Sequence, residues 1–388
     1  MDAVRLTLEP VGLDEFLGDA FQRRPLTIAR SEAGRFDALL SPADVERLIC
    51  STGIRAPAFR LVAGGGPVPL REYTDDVPWR PSSFDALARV DRVAAEHAAG
   101  ATIVLQALQL HWRPAAHYCR GLEQRLGFPV QANAYSTPAG GQGFAVHHDT
   151  HDVFVLQVAG SKRWRIHAPV LELPLSGQRW SPSLGDPGPP VDELTLAPGD
   201  TLYIPRGWPH EAVAQDDDSL HVTVGMHPPT RMDALRAALD ECGDDIEFRR
   251  ALGPDGGLPG ELLERLAARL RPEDVVHRAR RRFVDTRRPV LDDQLTQARA
   301  AAGLRLGDEV ERRPTVIAER DGTALRFEGK EVRFPEVARS VLAAVVDAER
   351  PFTAAELPAD LDENGRLVLV RRLIREGFLR ARQPAERT

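Results

Sequence analysis

The sequence predicts an α+β fold, with a barrel or sandwich of short strands at its centre, a helical segment after it and a winged-helix-like unit at the end. Three observations carry this prediction. Between residues 101 and 226 short β-rich runs follow one another, separated by turns bearing Pro and Gly. From 231 to about 305 apolar residues recur at helical spacing. From 309 onward small strands alternate with short helices.

Residues 1 to about 100 read as mixed helix and loop. LDEFLGDAFQRRPLTI puts Leu13, Phe16, Leu17 and Phe21 on one helical face before Pro25 stops it. SPADVERLI opens a second short helix, with Ser41 as N-cap and Asp44 and Glu46 in the first turns. FRLVAGGGPVPLREYT reads as a strand, a glycine turn and a further strand or loop.

The barrel runs are ATIVLQAL, QANAYSTP, FAVHHDTHDVFVLQVA, KRWRIHAP, DELTLAPGDTLYIP and SLHVTVGM. The loop 171–193, rich in Pro, Ser and Gly, reads as an insertion at the rim. RMDALRAALDEC aligns Met232, Leu235, Leu239 and Cys242 on one face, and ELLERLAARL aligns Leu262, Leu263, Leu266 and Leu270. A third helix is expected after Pro289. The last unit has a strand pair (TVIAER, ALRFEG), two short helices and the run LVLVRRLIREGFLRAR. These boundaries give a domain at 1–230 with its barrel core at about 101–230, a helical domain at 231–308 and a winged-helix-like domain at 309–388.

Composition excludes several functions. A net charge of −7 argues against a chain that coats nucleic acid or anionic membrane. The last unit, from Glu309 to Thr388, carries 15 acidic and 15 basic residues, and DNA readers concentrate positive charge. No apolar run approaches the ~20 residues of a membrane span, and the N-terminus does not read as a secretory signal. Three separated cysteines, Cys50, Cys119 and Cys242, fit reduced thiols in a cytoplasmic protein.

The chemistry concentrates at His147-His148-Asp149 and at His210. Residues i and i+2 of a strand face the same way, so His147 and Asp149 are expected to share one barrel interior. His210 follows the strand TLYIP, where a turn brings it back across. Two imidazoles and a carboxylate form the facial triad of non-heme iron(II) oxygenases, whose open positions take 2-oxoglutarate and O₂. His148 should point away. His151 shares the parity of the triad, and as a fourth ligand it would suggest a zinc or manganese isomerase instead.

Lys162 follows Asp149 by thirteen residues, and of 50 basic residues only Lys162 and Lys330 are lysine. A 2-oxoglutarate site needs a buried cation for the distal carboxylate; a surface lysine lying along Trp164 is the bland alternative. Asn133, Tyr135 and Thr137 share parity on a strand that would line the same pocket.

Together QANAYSTPAGGQGFAVHHDTHDVFVLQVAGSKRWRIH, PGDTLYIPRGWPHEA and SLHVTVGM resemble the JmjC-type ribosomal oxygenases, and FLGDAFQRRPLTIAR resembles that family's entry segment. The resemblance spans roughly residues 8 to 230 and more loosely the domains that follow. It implies a double-stranded β-helix of the cupin type. It also implies an Fe(II)- and 2-oxoglutarate-dependent dioxygenase that uses O₂ to hydroxylate an Arg or His side chain of a ribosomal protein. Residue by residue it implies His147, Asp149 and His210 as iron ligands and Lys162 at the cosubstrate carboxylate. Asn133, Tyr135 and Ser219, with His221, fall in the surrounding pocket. It implies a homodimer through 231–305. The aromatic residue often found between the first two ligands is His148 here. A small-molecule hydroxylase and a non-catalytic binding cupin are the alternatives.

Overall fold

Turn residues bound each apolar run in the computed structural model of the chain, which describes residues 2–252, 254 and 256–382. The chain forms two compact units, Met1–Pro228 and Pro229–Thr388.

In the first unit the strands are β1 (Leu26–Ile28), β2 (Phe59–Ala63), β3 (Gly66–Pro67), β4 (Thr74–Trp79), β5 (Ser82–Ala88), β6 (Thr102–Leu105) and β7 (Val130–Thr137). They continue with β8 (Asp152–Ala159), β9 (Lys162–His167), β10 (Pro190–Leu196), β11 (Thr201–Ile204), β12 (His210–Ala214) and β13 (Ser219–Met226). Eight form one sheet in the order β1-β11-β8-β13-β7-β6-β2-β3, and a second sheet has the order β10-β9-β12. Strands β4 and β5 make a separate hairpin.

Strand β8 explains how this architecture holds. Seven of its eight residues are buried, as expected of a central strand covered on both faces. Phe154, Leu156 and Val158 join a large core with Phe16, Tyr118, Leu122 and Tyr203. Val153 and Val155 face the other way, into a second core with Trp164, Ile166, Leu196, Leu202 and Ile204. Burying each such side chain stabilises by about 1.5–3 kcal/mol. The first core is closed by two helices. Pro42–Ser51 starts with a capping box between Ser41 and Asp44. Arg113–Leu126 presents Ala115, Tyr118, Cys119 and Leu122 inward and ends on Gly127 in the left-handed conformation.

Register sets the inner face of the barrel. Tyr135 of β7 opposes His221 of β13, and His221 opposes Gln157 of β8. On the other side Tyr135 opposes Val104 of β6, which opposes Arg60 of β2. Asn133, Thr137 and Thr223 share this face by the two-residue period.

Two expectations need correction. The run from 144 to 159 is not one strand: β8 begins at Asp152, after the His147–Asp149 segment. That segment crosses between the sheets, and His147 makes an isolated antiparallel bridge with His210. The second correction lies in the other unit, where the expected helices Arg231–Glu241 and Gly260–Arg269 are followed by an unanticipated one, Pro272–Asp285, before Gln294–Ala300. Pro272 opens this helix. Its arginine-rich sequence hid it, because only Phe283 and Val284 are buried, against Ile317.

The rest of the second unit has the sheets Glu309–Arg312 with Phe352–Thr353 and Leu379–Ala381, and Ala318–Asp321 with Ala324–Phe327 and Lys330–Arg333. The helices Arg339–Val346 and Glu363–Glu376 bury Val341, Leu342, Val345, Val370 and Leu373 against them. The element order is a strand, a three-stranded antiparallel sheet, a helix, the short strand Phe352–Thr353, a helix and a final strand.

Candidate metal centre

His147, Asp149 and His210 each offer one ligand atom, all within 4.8 Å of one another. Their backbones are fixed first. The His147 N–H donates to the His210 carbonyl at 3.2 Å and the His210 N–H to the His147 carbonyl at 2.8 Å. The Gly207 N–H donates to the Asp149 carbonyl at 3.0 Å. Gly207 lies at φ +88, and a Cβ there would stand 2.5 Å from the Leu171 carbonyl, so this turn requires glycine.

The side chains are then oriented by tautomer. The His147 Nδ1–H donates to the Ala145 carbonyl at 2.8 Å, and the His210 Nδ1–H to the Trp208 carbonyl at 3.0 Å. A carbonyl only accepts, so each ring keeps its Nε2 lone pair free. His210 Nε2 lies 3.9 Å from Asp149 Oδ2. Burial, and next the neighbouring His147, pull His210 down to about 4, so its imidazole is neutral at physiological pH. Burial opposes ionisation of Asp149, but His151, His210, His147 and His148 outweigh it and hold the carboxyl below the usual range. Two imidazoles, each with its Nδ1–H donated to a backbone carbonyl, and one carboxylate on one cavity are a donor set that fits a divalent cation.

The cavity measures about 340 Å³. Lys162 opens β9 and is buried at 4% exposure. Its Nζ donates to Thr137 Oγ1 at 3.0 Å, and Thr102 Oγ1 donates to the same hydroxyl at 3.1 Å. Burial pulls the amine down to about 7. Among the described residues this ammonium is held by a neutral hydroxyl alone, which is chemically incomplete, and a bound carboxylate completes it. Asn133 Oδ1 accepts from the Ala107 N–H at 2.9 Å. Tyr135 stacks on His221, centroids 4.8 Å apart and planes at 4°. Burial, then the Asp149 charge, push its hydroxyl up. Burial drives His221 well below its usual value, with Lys162 adding to the effect.

The remaining expected residues fall as follows. His148 points away: its Nε2–H donates to the Gln178 carbonyl at 3.1 Å and its ring meets Trp180 edge-on. His151 lines the cavity but stacks on His227 rather than joining the three ligand atoms. Ser219 is not among the lining residues, and its hydroxyl accepts from Gln157 Nε2 at 2.9 Å. Arg60 and Phe144 line the cavity without having been anticipated. Nothing local marks them, since arginine is this chain's usual cation and long-range strand pairing brings β2 here.

Residues 107–234 match the JmjC domain family. That stretch is similar to a JmjC domain. The chain's relatives include a bifunctional lysine-specific demethylase and histidyl-hydroxylase NO66 of Drosophila persimilis, 32% identical over 67% of this chain and 36% of that protein. Human ribosomal oxygenase 1 is 28% identical over 67% of this chain and 40% of its own length. The chain thus spans less than half the length of these curated relatives. The chain also aligns with E. coli YcfD, with a TM-score of 0.60 at 18% identity, covering 96% of this chain and 98% of that one. A structure of YcfD in complex with cobalt and 2-oxoglutarate aligns with a TM-score of 0.58 at 19% identity. At such identities the likeness establishes the fold. No helix among the described residues is long and apolar enough to cross a membrane.

Proposed function

We propose that this protein is an Fe(II)- and 2-oxoglutarate-dependent dioxygenase that hydroxylates a side chain of a ribosomal protein. One observation carries the reading: an ordered His-Asp-His donor set shares a cavity with a buried lysine that has no anionic partner among the described residues. The names of the relatives and the cosubstrate in the YcfD complex support it.

In this reading His147, Asp149 and His210 hold iron through Nε2, a carboxylate oxygen and Nε2. Bound iron with 2-oxoglutarate and O₂ supplies the oxidising power to insert oxygen into a C–H bond, giving succinate and CO₂. The chain's own residues do the rest. The two backbone carbonyls fix both imidazole tautomers, so the lone pairs point at the metal without reorganisation. Lys162 holds the distal carboxylate of the cosubstrate, and Thr137, braced by Thr102, aims its ammonium. Asn133 and Tyr135 line the path to the metal. The apolar side chains of Val153, Val155 and Trp164 keep water from the reacting atoms.

The helical segment 231–305 is read as the homodimer interface. Met232, Leu235 and Leu239 are 44%, 41% and 47% exposed on one face of Arg231–Glu241, an unusual apolar stripe for a solvated helix. The winged-helix-like unit is read as a protein-contacting module because it is formally neutral. With a ribosomal protein as substrate, the protein is read as cytoplasmic.

The test is direct. Purified protein given Fe(II), 2-oxoglutarate and ribosomal proteins is expected to form succinate and add one oxygen to one protein. The Asp149→Ala chain should do neither. Succinate formation that survives Asp149→Ala would sink the reading.

A further inference from the structure

Arg60 stands in the cavity wall without a task in that reading. It lies on β2, in register through Val104 with Tyr135. Its guanidinium carbon rests 5.2 Å from the Phe144 ring centroid, and that ring is 5.7 Å from the His147 ring. One aromatic ring therefore separates Arg60 from a proposed ligand. Its Nε is shielded from solvent and makes no hydrogen bond among the described residues. A shielded donor without an acceptor is costly, and a bound group that accepts relieves the cost.

Charge decides which group that is. In the loaded site a metal dication, the Asp149 carboxylate, a dianionic cosubstrate and the Lys162 ammonium sum to zero. The other charged residue on the cavity, Glu211, is already engaged, 3.6 Å from Arg165 and accepting from Gln142 at 3.1 Å. Arg60 is the surplus cation. An incoming guanidinium or ammonium meets a like charge in a partly desolvated space, where screening is weak.

We infer that Arg60 is the specificity residue of this cavity: it donates to a neutral, acceptor-bearing target side chain, an imidazole or a carboxamide, and excludes guanidinium and ammonium groups. The inference rests on the oxygenase reading above.

The experiment begins with ribosomal proteins extracted from cells lacking this protein. They are incubated with the full chain, Fe(II) and 2-oxoglutarate, and each added oxygen is located by peptide fragmentation. The expected site is His, Asn or Gln. For a peptide carrying that site, Arg60→Gln should raise KM by about tenfold, with a smaller fall in kcat. Fluorescence anisotropy of the same peptide, recorded without iron, should weaken by a similar factor, and Arg60→Lys should recover part of the loss. Oxygen on Arg or Lys overturns the inference and leaves the oxygenase reading standing. So does an Arg60→Gln chain that binds the peptide normally, or one whose only defect is in 2-oxoglutarate binding. Absence of any oxygenated ribosomal protein overturns the hydroxylase reading, and the inference with it. The product chemistry of the unaltered chain keeps the test decisive even if the variants are unstable.

Discussion

Lys162 is the residue with the most direct consequence for binding. Its amine titrates near 7 in the free protein because burial disfavours the charge. A bound dianion raises that value, so between the two values binding takes up a proton. Cosubstrate affinity should therefore be flat below pH 7 and fall above it, by up to about tenfold per pH unit. Calorimetric titration of 2-oxoglutarate at pH 6.5, 7.5 and 8.5 checks this, and Lys162→Arg should flatten the profile because a guanidinium does not titrate there. Asp149→Ala removes the one anionic donor. Metal affinity, measured by competition with a chelating dye, should drop at least about 100-fold. These two residues were legible in the sequence because spacing and rarity marked them. Arg60 was not, because its chemistry matters only once β2 pairs beside β6, and no local pattern encodes that pairing.

Elements were read well where one turn residue bounded one apolar run. The strands from Val130 to Met226 are such a case, and the turn 159–161 is its sharpest instance. Gly160 sits at φ +59, and a Cβ there would fall 2.1 Å from the Asp218 carbonyl. Gly160→Ala should cost about 2–4 kcal/mol, read as a lowered Tm and midpoint in urea, because backbone strain adds to the clash. Such a loss would also displace Lys162, two residues on. The H-x-D segment was misread as strand because its alternation of side chains is real, but its backbone partner is the short bridge to His210 rather than a ladder. The helix Pro272–Asp285 was missed for the opposite reason: few of its residues are apolar, so periodicity had little to report.

At the scale of the whole molecule, the apolar stripe Met232, Leu235 and Leu239 sets the expected assembly. Light scattering after gel filtration should give twice the chain mass of 42.7 kDa. Leu235→Glu with Leu239→Glu should give the single mass, since two charges in an apolar interface are poorly tolerated. A monomeric unaltered chain would remove the dimer proposal. The barrel itself was foreseen from the density of short strands, while its division into two cores came only with register. That register has one further effect. Because the His147 and His210 amides close a ring with each other's carbonyls, two of the three donors ride on a single stapled piece of backbone. Emptying the site should leave that staple shut: both amides would exchange with deuterium as slowly after chelation as before, and reloading would proceed at the speed of dehydration of the incoming ion rather than of any chain rearrangement.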